Sequence, residues 1–254
     1  MILRHILMLS AALLAAPLLA QDKKDEPKPA ADTPAPQVVT TRGTGTFGGQ
    51  RISYTATAGD MHLKGEDGQP RANITYYSYV KEPRDPSRPV TFLFNGGPGS
   101  GSVWLHMGAF GPKRVAIPSD ARDDGAPPYP IVDNPDALLD VTDIVFIDPV
   151  GTGFSHVVGK GETKDYWGVT KDAKSVAQFI RLWLNENGRW NSPKYLGGES
   201  YGTTRSAAVA NELEGAYNDV ALNGIILIST ILDFGAQAEV EGNDMPFIIS
   251  VPSM

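Results

Sequence analysis

Alternating and continuous apolar runs divide the middle of the chain into predicted strands. Between Gln50 and Val80, apolar and polar positions alternate around a Gly-rich turn at 65–68, which predicts a meander of short antiparallel strands. Later runs are largely apolar without alternation, as expected for strands buried on both faces of a parallel sheet. These runs are Pro89–Phe94, Asp143–Ile147 and Gly224–Ile228.

Two predicted helices and a short strand separate the second and third of these runs. Between Thr170 and Asn187 the apolar residues recur at helical spacing, which indicates a helix with one buried face. A short strand begins at Tyr195–Leu196, and a second helix is predicted over Thr203–Leu213. Strands and helices therefore alternate. This order predicts an α/β fold with a mostly parallel sheet and N-terminal antiparallel strands.

The first 42 residues have a different composition from the rest. Residues 1–20 combine a short basic start with an apolar run that is too short for a comfortable membrane span. We interpret them as a cleaved signal peptide rather than an anchor, which predicts a secreted or periplasmic protein with no membrane attachment after cleavage. Residues 21–42 are rich in proline and charge and are interpreted as a disordered linker, so the domain is predicted to span 43–254.

Length, charge and cysteine content exclude several classes of protein. The 254 residues could form one large α/β domain or two small ones, and the sequence has no internal repeat. The net charge is −7 and no stripe of Lys and Arg is present, which argues against a nucleic-acid partner. The chain has no cysteine, which excludes thiol catalysis, cysteine metal sites and disulfides.

A Gly-x-Ser-x-Gly pentapeptide, Gly198–Gly202, stands between the predicted strand at Tyr195 and the helix at Thr203. In a nucleophile elbow this sequence forms a turn so sharp that the residues flanking the serine must lack bulk. The serine is then held in a strained conformation that exposes its hydroxyl group. The pentapeptide alone is equally compatible with an ordinary Gly-rich turn. The elbow interpretation makes Ser200 a candidate nucleophile.

The Gly-rich loop after Pro89–Phe94 has two possible uses. In α/β-hydrolases such a loop supplies one oxyanion donor, and the residue after the nucleophile supplies the other. Here the donors would be the N–H groups of Gly96 or Gly97 and of Tyr201. A phosphate cradle is disfavoured, because no Lys-Ser or Lys-Thr follows and Ser102 occupies a position where the dinucleotide motif requires glycine.

The general base is difficult to identify. The α/β-hydrolase order is Ser, then Asp or Glu, then His. Carboxylates such as Asp219, Asp233 and Asp244 follow Ser200, but no histidine does. His106 and His156 could approach the site, and we interpret both as surface or supporting residues. No close pairing of histidines and carboxylates suggests a metal site, so neither a metal nor a cofactor is expected.

Three motifs in the same order and spacing resemble those of the serine carboxypeptidases, α/β-hydrolases that remove C-terminal residues from peptides. The resemblance covers Pro89 to Met254 and rests on FLFNGGPGSGS with GAFGP, on DIVFIDPVGTGFS and on GGESYG. It implies that Ser200 is the nucleophile and that Gly97 and Tyr201 supply the oxyanion N–H groups.

The resemblance also implies which residues bind the substrate, a peptide with a free C-terminal carboxylate. Asn95 and Glu199 hold that carboxylate, and Gly96 belongs to the same substrate-binding segment. A glutamate can do this only by sharing a proton with another acid, which fits the preference of the family for acidic pH.

The sequence departs from the family pattern at two places. Ala109 stands where the family often has a second glutamate, which weakens the prediction of carboxylate recognition. The chain also stops about 25 residues after the Gly224–Ile228 run, before the segments that carry the Asp and His in the family. We therefore expect a nucleophile-bearing fragment that lacks the C-terminal part of the fold, is inactive alone, and is marginally stable because Gly224–Ile228 is an apolar sheet edge.

Two other functions stay open on the same residues. An esterase or acyltransferase would use the same elbow, because the fold does not decide the substrate. A catalytically inactive truncated paralogue would at most bind peptides through Asn95 and the Gly-rich loop.

Overall fold

The computed structural model describes residues 33–117, 127–215, 219–235 and 240–250, which all belong to one structural unit, residues 31–254. The predicted signal peptide and the first part of the predicted linker lie outside the described residues. No helix in the described ranges is both long enough and apolar enough to cross a membrane.

The described residues form ten strands, three α-helices of six or more residues and several shorter turns. The strands are β1 Val38–Phe47, β2 Gln50–Lys64, β3 Pro70–Glu82, β4 Val90–Phe94, β5 Lys113–Val115, β6 Ile131–Asp133, β7 Asp143–Asp148, β8 His156–Val157, β9 Lys194–Glu199 and β10 Gly224–Ile228. The helices are a short turn α1 Val103–Leu105 that continues as a π-helix over His106–Phe110, then α2 Val169–Glu186, α3 Tyr201–Glu214 and α4 Met245–Ser250. Short 3₁₀ turns cover Leu138–Asp140 and Thr163–Tyr166.

The main sheet has the order β1-β2-β3-β7-β4-β9-β10, with β8 paired to β3. Strands β7, β4, β9 and β10 are mutually parallel, whereas β1, β2 and β3 are antiparallel and β3 joins β7 antiparallel. The α/β prediction with N-terminal antiparallel strands is confirmed. The predicted meander of short strands is corrected, because β2 and β3 are 15 and 13 residues long.

Strand β1 begins inside the predicted linker. Residues 38–42 pair with β2 in a regular antiparallel register, so the linker prediction is too long at its C-terminal end. Val38 and Val39 are 55% and 63% exposed. A strand with so little apolar burial has no alternating apolar pattern in its sequence, which explains why it was not predicted. Here the backbone hydrogen bonds to β2, rather than burial of an apolar face, hold the segment in the sheet.

Alternate residues of the central strands are buried in two different cores. On β4, Phe92 and Phe94 face the core formed with α2 and α3, whereas Leu93 faces the opposite core. That second core is closed by β1, β2 and the turns at 105 and 139, with Phe47 and Leu139 among its buried residues. Both sides of β4 and β7 are therefore covered, which accounts for their continuous apolar sequences.

Strand β10 differs from the other central strands in its exposure. It pairs with β9, and no other described strand pairs with it. Ile225, Ile226 and Leu227 are 43%, 36% and 46% exposed. The third apolar run is thus a strand, but it is not buried as its sequence predicts, because no described element covers its outer side. The apolar sheet edge expected from the sequence is present within the described residues.

A buried carboxylate that forms ion pairs with two arginines lies at the end of the sheet opposite the elbow. The Asp143 carboxylate is fully buried and accepts hydrogen bonds from Arg189 Nη1 at 2.6 Å and Arg88 Nε at 3.0 Å. Arg189 also donates to the backbone oxygen of Arg88 at 2.5 Å. These three side chains join the start of β7 to the loop before β4 and to the segment after α2.

Asp143→Asn is expected to lower the free energy of unfolding by about 3 kcal/mol, because it leaves the buried Arg189 guanidinium without a counter-charge. Urea unfolding monitored by circular dichroism measures the change. Asp67→Asn is the control, since Asp67 forms an exposed pair with Arg71 and its loss should leave stability nearly unchanged. Equal effects of the two substitutions would contradict the prediction.

Candidate active site

Ser200 occupies the sharp turn between β9 and α3. Its φ is 58° and its ψ is −124°, a conformation that residues with a side chain rarely adopt and that costs on the order of 1–3 kcal/mol. Hydrogen bonds hold it there: Ser200 N donates to Ile228 O at 2.9 Å, and Ser200 O accepts from Thr203 N at 2.9 Å and Thr203 Oγ1 at 2.7 Å. The neighbouring strand and the first turn of α3 therefore stabilise the strained serine.

Glycine is required on the strand side of this turn. A Cβ atom at Gly198 would collide with the backbone oxygen of Gly202 and lie 2.7 Å from Ser206 Oγ. Strand β9 and helix α3 can pass this close only because residue 198 has no side chain.

The Gly-rich loop after β4 packs directly on the elbow. A Cβ atom at Gly96 would lie 2.5 Å from Tyr201 N and 2.5 Å from Glu199 O. The backbone of Gly96 therefore touches the peptide groups on both sides of Ser200. Gly97 follows in the exposed part of the loop. The two predicted sources of oxyanion donors are thus neighbours in space.

The Asn95 and Glu199 side chains meet beside the serine. Asn95 Nδ2 donates to Glu199 Oε2 at 3.0 Å, and Asn95 Oδ1 accepts from Leu105 N at 3.0 Å. Because a backbone N–H can only donate, the second bond fixes which end of the Asn95 amide faces Glu199. A cavity of about 460 Å³ is lined by Asn95, Gly97, Ser100, Trp104, Leu105, Glu199 and Ser200.

Buried charges that the sequence reasoning missed lie beneath the loop. Asp172 of α2 accepts hydrogen bonds from Arg205 Nε at 2.8 Å and from the Tyr201 hydroxyl at 3.2 Å. Burial raises the pKa of the Tyr201 hydroxyl, and the Asp172 carboxylate raises it further. Asp148, whose pKa is raised by burial, accepts a hydrogen bond from Ser102 N at 2.7 Å. The sequence signal for Asp172 was a charge within the apolar face of a helix.

None of the three described histidines is among the residues that line the Ser200 cavity. His62 lies on β2 and pairs in register with Asn73, and His156 is exposed on β8. His106 is buried in the π-helix, where its ring stacks on Phe146 at 4.5 Å and shares a 2.6 Å hydrogen bond with the Tyr79 hydroxyl. Burial lowers the pKa of His106 to about 4. His106 is therefore a core residue.

The described carboxylates do not form a metal site. In the parts of the chain that the structure covers, no group of three or more His, Asp or Glu side chains could hold a metal ion. Asp233 follows β10 and accepts a hydrogen bond from Gly235 N, and it does not line the Ser200 cavity.

A strained serine between a strand and a helix, at the carboxyl ends of parallel strands and beside a Gly-rich loop, defines an α/β-hydrolase. The family model for serine carboxypeptidases matches residues 58–247. The chain belongs to the serine carboxypeptidase family.

Two relatives in Arabidopsis thaliana have similar sequences. Serine carboxypeptidase-like 13 is 27% identical over 161 residues, which cover 62% of this chain and 36% of that protein. Serine carboxypeptidase-like 16 is 27% identical over 175 residues, which cover 66% of this chain and 39% of that protein. The chain thus spans less than two fifths of the length of these two relatives.

Two solved structures match parts of this chain. A proline iminopeptidase-related protein from Thermus thermophilus has a TM-score of 0.38 and 14% identity, covering 67% of this chain and 44% of that one. Brefeldin A esterase, a bacterial homologue of human hormone sensitive lipase, has a TM-score of 0.39 and 13% identity, covering 94% of this chain and 48% of that one.

Gly198→Ala is expected to lower the free energy of unfolding by about 3 kcal/mol, because the new methyl group meets backbone that no side-chain rotation can move. Gly108→Ala is the control, since a Cβ atom there has nothing within 4 Å. Urea unfolding of both variants measures the difference. A Gly198→Ala protein as stable as the Gly108→Ala protein would contradict the close packing of β9 on α3.

His106 should make the protein less stable as the pH falls from about 6.5 to about 4. The unfolded chain binds a proton near pH 6.5, whereas folded His106 binds one only near pH 4, so acid favours unfolding within this window. Replacing His106 and Tyr79 together by Phe removes the titrating ring and leaves no unpaired hydroxyl. The stability lost between pH 7 and pH 4.5 should then shrink by about 2–3 kcal/mol.

Tyr79→Phe alone is the control for the double variant, because it keeps the histidine. Unfolding by urea at both pH values provides the comparison. Identical losses in the double variant and in the control would show that His106 does not contribute to the pH dependence.

Proposed function

We propose that this chain carries the nucleophile and the substrate-carboxylate site of a serine carboxypeptidase, which releases C-terminal residues from peptides. The observation that supports this most directly is the position of Ser200. Its strained turn opens on the same cavity as Asn95 and Glu199, which are hydrogen bonded to each other. The family match supports a hydrolase, and the substrate class and the roles of the residues belong to the proposal.

In the proposed reaction, Ser200 Oγ attacks the carbonyl carbon of the last peptide bond and its proton passes to a general base. The negative charge that develops on the carbonyl oxygen is stabilised by the N–H groups of Tyr201 and Gly97, each worth about 10²–10³ in rate. The bond to the C-terminal residue then breaks, the leaving amine takes the proton, and an ester to Ser200 forms. Water hydrolyses this ester and regenerates the serine.

Asn95 and Glu199 would hold the carboxylate of the leaving residue. One N–H of the Asn95 amide bonds Glu199, and the other is proposed to donate to the substrate. Glu199 can approach a second carboxylate only if the two acids share a proton, which favours binding in acidic solution. Ala109 offers no second carboxyl group to this interaction, so Asn95 and Glu199 carry the recognition in this proposal.

The general base is proposed to lie outside the described residues, since no described histidine lines the cavity. Residues 1–254 alone should therefore turn over very slowly, because loss of the base costs about 10⁶ in kcat in a well-studied serine protease. No cofactor is needed for this chemistry. The basic start and apolar run of residues 1–20 support export to a secreted or periplasmic location.

The protein expressed from its complete reading frame should cleave an N-blocked dipeptide with a free C-terminus about 100-fold faster in kcat/KM than the corresponding dipeptide amide. The amide cannot share a proton with Glu199 in the same way. Ser200→Ala should abolish cleavage of both substrates. Asn95→Leu keeps the branched shape and the number of heavy atoms of the side chain and removes the amide, and it should reduce the preference for the free acid to about tenfold or less.

Equal rates on the acid and the amide would instead support an esterase or acyltransferase. A complete protein whose Ser200 fails to react with a fluorophosphonate would overturn the enzymatic proposal altogether, because that reaction requires an activated serine.

A further inference from the structure

Helix α3 carries a buried charge directly behind the elbow. Arg205 is 2% exposed and lies one helical turn after Tyr201. Its Nε donates to Asp172 Oδ2 at 2.8 Å, and its Nη1 donates to the backbone oxygen of Asn95 at 2.5 Å. The guanidinium also lies over two aromatic rings, 5.0 Å from the ring centre of Tyr201 and 5.4 Å from that of Phe94.

A buried arginine at this position is not explained by stability alone. Removing a guanidinium and a carboxylate from water has a large desolvation cost, and apolar residues of the same volume are often as stabilising or more so. An arginine fork can, however, hold two acceptors at fixed angles, which neither an apolar side chain nor a lysine can do. The two acceptors here are a side chain of α2 and the backbone at the end of β4.

Asn95 is held on two sides by different groups. Its backbone oxygen accepts from Arg205, while its side chain bonds Glu199 and the Leu105 N–H. Arg205 thus fixes the peptide group from which the Asn95 side chain projects towards the cavity. Gly96, which packs on the elbow, is the next residue along the chain.

Asp172 connects the same arginine to the other predicted oxyanion donor. Its Oδ2 atom accepts from both Arg205 Nε and the Tyr201 hydroxyl. The far end of the Gly-rich loop has a separate anchor, because Ser102 N donates to Asp148. Loss of Arg205 should therefore loosen the Asn95 end of the loop without releasing the whole loop.

We propose that Arg205, oriented by Asp172, is a positioning residue that sets the place of Asn95 and thereby of the Asn95–Glu199 pair beside Ser200. The effect of Arg205 on catalysis rests on the proposed function. The placement of Asn95 by Arg205 depends only on the contacts of Arg205.

The Leu105 amide proton reports directly on Asn95, because it is donated to Asn95 Oδ1. Arg205→Lys should lower the hydrogen-exchange protection of Leu105 in the 254-residue chain by about tenfold or more, since the single Nζ atom of a lysine cannot place donors at both positions that Nε and Nη1 of the arginine occupy. The His106 amide, which donates to Ser102 O, should keep its protection and serves as an internal reference. Nuclear magnetic resonance of the ¹⁵N-labelled chain measures both amides.

Arg189→Lys is the matched control. Arg189 is also buried, also pairs with an aspartate and also donates to a backbone carbonyl, but at the opposite end of the sheet. It should lower global stability and leave the ratio of Leu105 to His106 protection unchanged. If Arg205→Lys does not fold, Asp172→Asn, which keeps the shape and removes the counter-charge, provides the same measurement.

The proposal would be overturned if Leu105 kept its protection relative to His106 in Arg205→Lys. The same result in Asp172→Asn would overturn it where only that variant folds. So would an equal loss in Arg189→Lys, because the effect would then reflect general destabilisation.

In the protein from the complete reading frame, Arg205→Lys should reduce the preference for a free-acid dipeptide over its amide by about 10- to 100-fold, and Arg189→Lys should preserve that preference. An unchanged preference in Arg205→Lys would overturn the catalytic meaning of the inference. A wild-type protein without any preference would refute the proposed function, and Leu105 protection would still decide whether Arg205 positions Asn95.

Discussion

The backbone of Gly96 packs against the peptide groups on both sides of Ser200, and the rest of the candidate site depends on this contact. It follows from the parallel pairing of β4 with β9, in which Phe94 lies opposite Gly198. Strand β4 ends only one residue before β9 does, so the chain leaving β4 runs directly over the turn that leaves β9. A side chain at residue 96 would separate the loop from the elbow. The Asn95 and Glu199 side chains could then no longer meet.

The central strands were predictable because both of their faces are buried. β4 and β7 are covered by α2 and α3 on one side and by the N-terminal strands on the other, so almost every position is apolar. β1 and β10 were misjudged for opposite reasons. β1 is held by backbone pairing with little apolar burial, and β10 has an apolar sequence that no described element covers. The pattern of apolar and polar residues reflects which side chains are buried, and it carries no information about backbone pairing between strands.

The candidate site was predictable where backbone geometry restricts residue type. The elbow and the loop need glycine at particular positions, and these glycines mark Asn95, Glu199 and Ser200 as neighbours. Arg205 and Asp172 were missed because their ion pair depends on how α3 packs on α2. Packing between two helices leaves no periodic pattern in the sequence from which the contact could be predicted. A signal for Asp172 was present, since it lies one helical turn before Val176 within the apolar face of α2. A charge at such a position implies a buried partner.

The two bonds that fix Asn95 have a consequence for ligand binding. They form when the chain folds and need no ligand, so the rotamer of the Asn95 side chain and the backbone of residue 95 are already selected in the free protein. A ligand that bonds Asn95 therefore gives up little conformational entropy of the protein on binding at this residue. Free and occupied forms should superpose closely at the end of β4, and adaptation to different ligands is left to Trp104, which is exposed and lines the same cavity.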